Sequence, residues 1–188
     1  MSFAAAAKVA ALVATQALQI VTAFFPAPPI QVFAGHEYGP WWGAILCLIG
    51  ILLGNIIVFL TMRKARGLIH KRFPQLERKP KIKLLDPSRL NNMKYPELIV
   101  VAMNIIPFLP NGLVPYVFAR TKIRLWRYLA AVAVGAIPAV MIFTGLGSAI
   151  MKANTTLIIV LAASVVVIAI FVFTFRRRIL DSIERLES

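Results

Sequence analysis

The sequence predicts an all-α integral membrane protein, with two proline-broken re-entrant hairpins and about three transmembrane helices arranged as an inverted repeat. Three observations lead there. Apolar residues gather into runs about a bilayer long, basic residues gather between the runs, and prolines interrupt two of the runs at related positions.

The 188 residues are 60% hydrophobic, with a mean hydropathy of +0.80. A soluble domain is nearer half apolar, because its surface must face water. Ile45–Met62, Leu129–Ile150 and Leu157–Phe175 contain no formal charge, and roughly twenty helical residues cover the ~30 Å of a bilayer core. The net charge of +14 does not lead to nucleic acid. Lys and Arg avoid the apolar runs and cluster between them, as the positive-inside rule expects of loops beside spans. No nucleic-acid-binding fold or aromatic platform accompanies the basic segment 63–95. Cys47 is the single cysteine, so neither an intrachain disulfide nor a cysteine-based zinc site can form.

The first apolar stretch, Phe3–Phe25, lacks a basic n-region and runs into Pro26, Pro28 and Pro29 before Ile30–Ala34. It reads as part of the mature protein and not as a cleaved signal. Two paths stay open for it: a full crossing from inside, or the first arm of a hairpin entering from outside. Trp41 and Trp42 then suit the outer interface, where indole rings sit among headgroups. The second stretch, Trp41–Met62, is a full span.

Next comes the one long polar loop, Arg63–Tyr95, with eleven Lys/Arg against Glu77 and Asp86. Pro74, Pro80 and Pro87 break it into short pieces, which argues against a second compact domain.

The third stretch, Leu98–Ala119, decides the topology. Pro107, Pro110 and Pro115 interrupt it, and Asn111-Gly112 is a turn signal. A single crossing would strand Arg120, Lys122, Arg124 and Arg127 on the face opposite the basic loop. A dip and return puts all but Lys8 and Lys152 of the 21 Lys/Arg on one face, which the positive-inside bias prefers over a proline-kinked ordinary span. The two arms, Glu97–Ile106 and Gly112–Arg120, would each rise roughly 15 Å, half the bilayer core. Their tip would lie near the midplane, where irregular backbone is tolerated only inside protein or beside a wet cavity. Leu129–Ile150 and Leu157–Phe175 are the remaining spans, and Ile179–Leu186 suits a short amphipathic helix on the inner surface.

Sliding the first half by 81 positions lays Pro26 on Pro107, Pro29 on Pro110 and Gly54 on Gly135. With the two spans required to run in opposite directions, this is an inverted-repeat pattern, in which paired broken segments mark a transporter's site. The chain thus divides as one membrane domain. Residues 1–62 form the first repeat, 63–95 the basic cytoplasmic loop, 96–150 the second repeat, 151–175 the last span and 176–188 the cytoplasmic tail.

At these residues the chain resembles the DedA superfamily, also called the VTT-domain or SNARE-associated Golgi protein family. The first matching stretch is Leu18–Val21 with Phe25–Gly35, then Tyr38–Gly43, Gly50, Gly54 and Phe59–Arg63. The second is Pro107–Pro110, Tyr116, Thr121–Ile123, Gly135–Pro138 and Gly145–Gly147. Order and spacing carry the likeness over about residues 10–150. The resemblance implies two re-entrant hairpins meeting at the membrane centre. It also implies lipid-related transport, members being linked to undecaprenyl phosphate recycling and eukaryotic relatives to phospholipid scrambling. Some members use membrane-embedded acidic and Arg residues, consistent with proton coupling. This chain departs there. Pro28 and Gln31 stand where relatives often carry Glu, Asn104 where an Arg is common, Gly112 where an acid occurs, and Arg66 where a Gly is frequent. The extra helix usual before the first hairpin is not found.

The candidate substrate pathway is therefore Pro26, Pro28, Pro29, Gln31, Asn104, Pro107, Pro110, Asn111 and Gly112. Broken helices free backbone amides and carbonyls that, with half-helix dipoles, coordinate a headgroup without charged side chains. Gln16, Gln19 and Asn55 add hydrogen-bonding groups, with interhelical glue the plainer reading of each. Arg63 and Arg120 are phosphate-binding candidates, since a guanidinium forms paired charge-assisted bonds to phosphate; routine interfacial anchoring is the alternative. Glu37, beside His36, is a candidate proton or cation group or a solvated turn residue. His36 and His70 are too few and too far apart to suggest a metal, no cofactor is expected, and no nucleophile–base pair points to an enzyme.

Together these features lead to a transporter or lipid flippase- or scramblase-like protein that moves a phosphate-bearing lipid or small anionic solute through a midplane site. A non-transporting scaffold for envelope organisation is the alternative. The expected partners are membrane lipids, including anionic inner-leaflet headgroups, with a second copy of the chain left open. The expected location is a bacterial plasma membrane, with the basic loop and C-terminus cytoplasmic.

Overall fold

The computed structural model describes residues 3–22, 26–72, 87–105 and 113–161, and within the last helix also 163–164, 166–167 and 170. Among these residues all regular structure is helical: α1 Phe3–Thr22, α2 Pro28–Arg72, α3 Pro87–Asn92, α4 Pro96–Ile105, α5 Leu113–Phe118 and α6 Leu125–Met151. A further helical segment begins at 155, where Asn154 Oδ1 accepts the Leu157 N–H at 3.0 Å, a side-chain N-cap.

Local chemistry places the breaks. α2 opens on Pro28-Pro29, whose missing N–H groups have no helical acceptor in a first turn anyway. The Ala27 carbonyl accepts from the Ile30 and Gln31 amides at 3.1 and 3.2 Å. Gly39, with φ of 78°, then breaks α2 into a short arm, 28–38, and a long helix from Pro40. That left-handed conformation suits glycine, and the following proline adds to the break. The long helix runs past Met62, where the sequence suggested a loop, and reaches Arg72. No proline intervenes before Pro74, and Lys, Arg, Ala and Leu sustain a helix once it leaves the apolar region.

Glycines fix how the helices pair. A β-carbon on Gly50 would stand 2.8 Å from the Val13 carbonyl oxygen, and one on Gly54 would stand 2.7 Å from that of Ala17. Both partners advance together, so α1 runs parallel to the long part of α2. The short arm turns back against it, because a β-carbon on Gly43 would press on the Ala34 carbonyl at 2.7 Å. In the later half, α4 and α6 also meet at a glycine. Gly135 of α6 sits on Val101 and Asn104 of α4, while Arg127 reaches Glu97 at 3.2 Å, so α4 and α6 are also parallel. The two halves run in opposite directions: Phe59 stacks on Tyr128, whereas Gly35, at the far end of the first half, packs on Thr144.

The surface is inside-out for a soluble protein. Leu18, Phe33, Ile49, Leu53, Ile57, Val134 and Ile137 are exposed, while Gln16, Gln31, Asn55, Asn104 and Thr144 are buried. Phe3–Thr22, Pro28–Ala65 and Leu125–Met151 are long and apolar enough to cross a bilayer. Apolar side chains on the outside of such helices have lipid as their natural solvent. This is an integral membrane protein. The expected span Leu157–Phe175 falls partly outside the described residues.

Candidate functional site

The buried polar groups occupy the faces where the two halves meet and where each arm lies on its long helix. α1 turns Leu12, Gln16, Gln19 and Ile20 inward, a helical stripe facing Gly50 and Gly54. Gln16 Nε2 donates to Gln19 Oε1 at 2.9 Å, yet Gln16 Oε1 is buried with no donor. Gln31 Oε1, on the short arm of α2, is likewise buried and unpartnered. An amide oxygen left so in a buried site costs about 1–3 kcal/mol unless water or a ligand donates to it. Asn55 and Asn104 behave alike, each donating Nδ2 to the carbonyl four residues back, Ile51 and Val100, at 2.8 Å. Tyr128 Oη donates to Asn55 Oδ1, joining the two long helices through a buried bond.

Two longer-range contacts tie one half to the other. Tyr116 Oη of α5 donates to the Val21 carbonyl at 2.8 Å. Val21 lies one residue before the end of α1 as described. Farther along the same chain segment, Arg63 Nη2 donates to the Thr121 and Ile123 carbonyls at 2.9 and 2.8 Å, and its guanidinium lies 4.4 Å over the Phe59 ring. Phe59 and Phe118 flank Tyr128 with ring centroids 4.8 and 6.0 Å away. Arg63 thereby clamps the turn between α5 and α6 onto α2.

Beside that turn lies a cavity of about 370 Å³, bounded by the α3–α4 connection and the start of α6. Lys94, Lys122, Arg124 and Arg127 line it together with Glu97.

The VTT domain sequence profile matches residues 25–149, about two thirds of the chain. The chain belongs to the VTT-domain family. No curated protein and no solved structure matches it. In this VTT-domain protein the matched region holds α2 to α5 and all but the last two residues of α6, whereas Gln16 and Gln19 precede it.

The predicted site residues are distributed unevenly. Pro26, Pro28, Pro29 and Gln31 follow one another through the first break, and Gln31 alone of these is buried. Asn104 is buried in the last turn of α4, against Gly135. Pro107, Pro110, Asn111 and Gly112 lie outside the described residues. Arg63 and Arg120 sit at the same end of the molecule, flanking Thr121. Glu37 is at the opposite end, half exposed and 3.3 Å from His36 Nδ1. Among the described residues no three His, Cys, Asp or Glu side chains gather as a metal site. From sequence, Tyr116 entered only as a motif residue and Lys94, Lys122, Arg124 and Arg127 only as flanking charges, while Tyr128 was missed altogether. A tyrosine inside an apolar run was a usable signal, since a buried hydroxyl normally finds a partner; which partner was not readable.

Proposed function

We propose that this VTT-domain protein is a carrier that moves a phosphate-bearing lipid, or a small anionic solute, between leaflets through a midplane site between two re-entrant hairpins. α1 with the short arm 28–38 forms the first hairpin, and α4 with α5 the second. The observation that carries the reading is the common build of two units running in opposite directions. The arms lie on Gly54 and Gly135 with equal spacings: added β-carbons would stand 2.7 Å from the Ala17 and Val101 carbonyls, and 2.8 Å from the Ile20 and Asn104 β-carbons. Inverted-topology units with broken helices are the arrangement in which transporters build midplane sites.

In this reading Trp41 and Trp42, both exposed, sit at the outer interface and Arg63 at the inner one. The parallel course of α1 and α2 supports a first hairpin entering from outside over a full crossing from inside. Gly50 and Gly54 then lie near mid-depth, which brings Gln16 and Gln19 there as well. The unpartnered Gln16 and Gln31 oxygens and the Asn104 amide supply neutral hydrogen-bonding groups along the path, to which the sequence assigns Pro26, Pro28, Pro29, Pro107, Pro110, Asn111 and Gly112 as well. In this reading Arg120, with the donors Arg63 keeps beyond its two carbonyl bonds, meets a phosphate at the inner mouth, and Glu37 belongs to the outer rim. The basic segments face the cytoplasm of a bacterial cell.

The test is leaflet exchange in liposomes. Fluorescent lipids carrying phosphate headgroups should become accessible to a membrane-impermeant quencher faster with the protein than in empty vesicles. No acceleration for any of several phosphate lipids removes the lipid carrier; unchanged exchange in Gln31→Leu and Asn104→Leu removes the assigned path.

A further inference from the structure

We propose that the cavity between α4 and α6 is a headgroup pocket, outside the midplane path, for a membrane lipid whose phosphate ester carries an ammonium group. The ligand chemistry is read from the lining. Lys94, Lys122 and Arg124 reach the cavity without an acidic partner among the described residues, and Arg127 shares its charge with Glu97 Oε1 at 3.2 Å. Four cations against one carboxylate leave a surplus of positive charge, which a phosphate neutralises by charge-assisted hydrogen bonds. Helix N-termini add to this. α4 and α6 both begin at the cavity, and the N-cap of α6, Arg124, places no side chain on the first amides.

Glu97 selects the second half of the ligand. Its Oε1 is held by Arg127, but its Oε2 is buried with no donor. A buried carboxylate oxygen calls for an N–H donor, which inorganic phosphate and the quaternary ammonium of a choline headgroup both lack and a primary ammonium supplies. A phosphate with an ammonium two carbons away presents both signs, its phosphate to Lys122 and Arg124 and its ammonium to Glu97. The position fits a lipid source. Arg63, at the end of the span that starts at Trp41, grips the Thr121 and Ile123 carbonyls, and the same turn residues line the cavity. A bound headgroup there keeps its acyl chains along the exposed apolar surface of α4 and α6, where Leu98, Ile105, Val134 and Ile137 are uncovered. Basic pockets at a membrane surface are established places for lipid headgroups.

The test uses the full chain in phosphatidylcholine nanodiscs and reads binding, not transport, so the carrier reading and this one fail separately. Calorimetric titration with phosphoethanolamine and with inorganic phosphate should give tighter binding of the former by about tenfold, the worth of one added charge-assisted bond. Glu97→Gln should erase that preference without weakening phosphate. The double variant Lys122→Gln/Arg124→Gln should weaken both probes by about tenfold or more. These side chains are exposed at the rim, and Lys122→Gln alone gives the same direction if the double variant melts early. Native mass spectrometry of protein from vesicles of equal phosphatidylethanolamine, phosphatidylglycerol and phosphatidylcholine should retain the first preferentially. A preference that survives Glu97→Gln, or binding untouched by Lys122→Gln, overturns the proposal; binding of free phosphoethanolamine with no retained lipid overturns its lipid source.

Discussion

Gly147→Ala tests the close contact between the first broken segment and α6, with Gly145→Ala as its control on the same helix. A β-carbon on Gly147 would overlap the Val32 carbonyl oxygen and stand 2.8 Å from the His36 amide nitrogen, both backbone atoms that cannot swing aside. One on Gly145 would meet the Leu161 Cδ1 at 3.4 Å, an ordinary contact with the end of a flexible side chain. Any gain from replacing a helical glycine, about 0.5–1 kcal/mol, is common to both and cancels in the comparison. What remains is overpacking. The short arm must retreat by about 1 Å to restore contact distance, and such shifts typically cost about 1–3 kcal/mol. Reversible unfolding in mixed micelles, followed by circular dichroism against rising denaturing detergent, should therefore place Gly147→Ala that far below Gly145→Ala. Gly35 meets the same interface from the other side, 2.6 Å from the Thr144 Cα, so Gly35→Ala should behave like Gly147→Ala. The double variant should lose less than the sum, because one retreat relieves both clashes. Equal stability of Gly147→Ala and Gly145→Ala, within about 0.5 kcal/mol, refutes the packing argument.

Three further outcomes follow from the contacts. Tyr128→Phe should lower stability by roughly 0.5–2 kcal/mol by orphaning Asn55 Oδ1, and Asn55→Leu in that background should recover part of the loss in the same unfolding assay. Arg63→Gln should release the α5–α6 turn, seen as faster amide exchange at Thr121–Ile123, with a loss of about 1.5–3 kcal/mol for a charged donor on two carbonyls; Arg63→Lys should fall between, having no planar fork. Tyr116→Phe should free the Val21 carbonyl, costing about 1 kcal/mol and changing leaflet-exchange rate in liposomes if the two broken segments act together. An unchanged rate would separate the Tyr116 contact from transport.

Helix was legible on both sides of the proline-rich stretch: Pro96–Ile105 lies where Glu97–Ile106 was expected and Leu113–Phe118 where Gly112–Arg120 was, while the stretch between falls outside the described residues. Apolar runs and proline positions are local signals, which is why these helices could be read from sequence. α2 continues past Met62 through Arg72, the last residue described there, because charge signals the limit of the membrane and not of the helix. Asn55, Asn104, Gln16 and Gln31 were recognisable as polar groups in apolar runs. Which of them keep an unpartnered atom was not, since that depends on neighbours far along the chain.

By itself, then, the sequence determined that the chain lives in a membrane, that it is built of helices and that it belongs among VTT-domain proteins. Hydrophobic run length, proline and glycine punctuation and motif order are local quantities, read without knowing any contact. Tertiary structure alone decided that α1 runs parallel to α2, that Arg63 spends two hydrogen bonds on Thr121 and Ile123, and that Tyr128 reaches Asn55. It also gathered Lys94, Glu97, Lys122 and Arg124 around one cavity. These are matters of which surfaces meet, set by close backbone approach at glycines and by the need to satisfy buried polar atoms, and no window of sequence contains both partners.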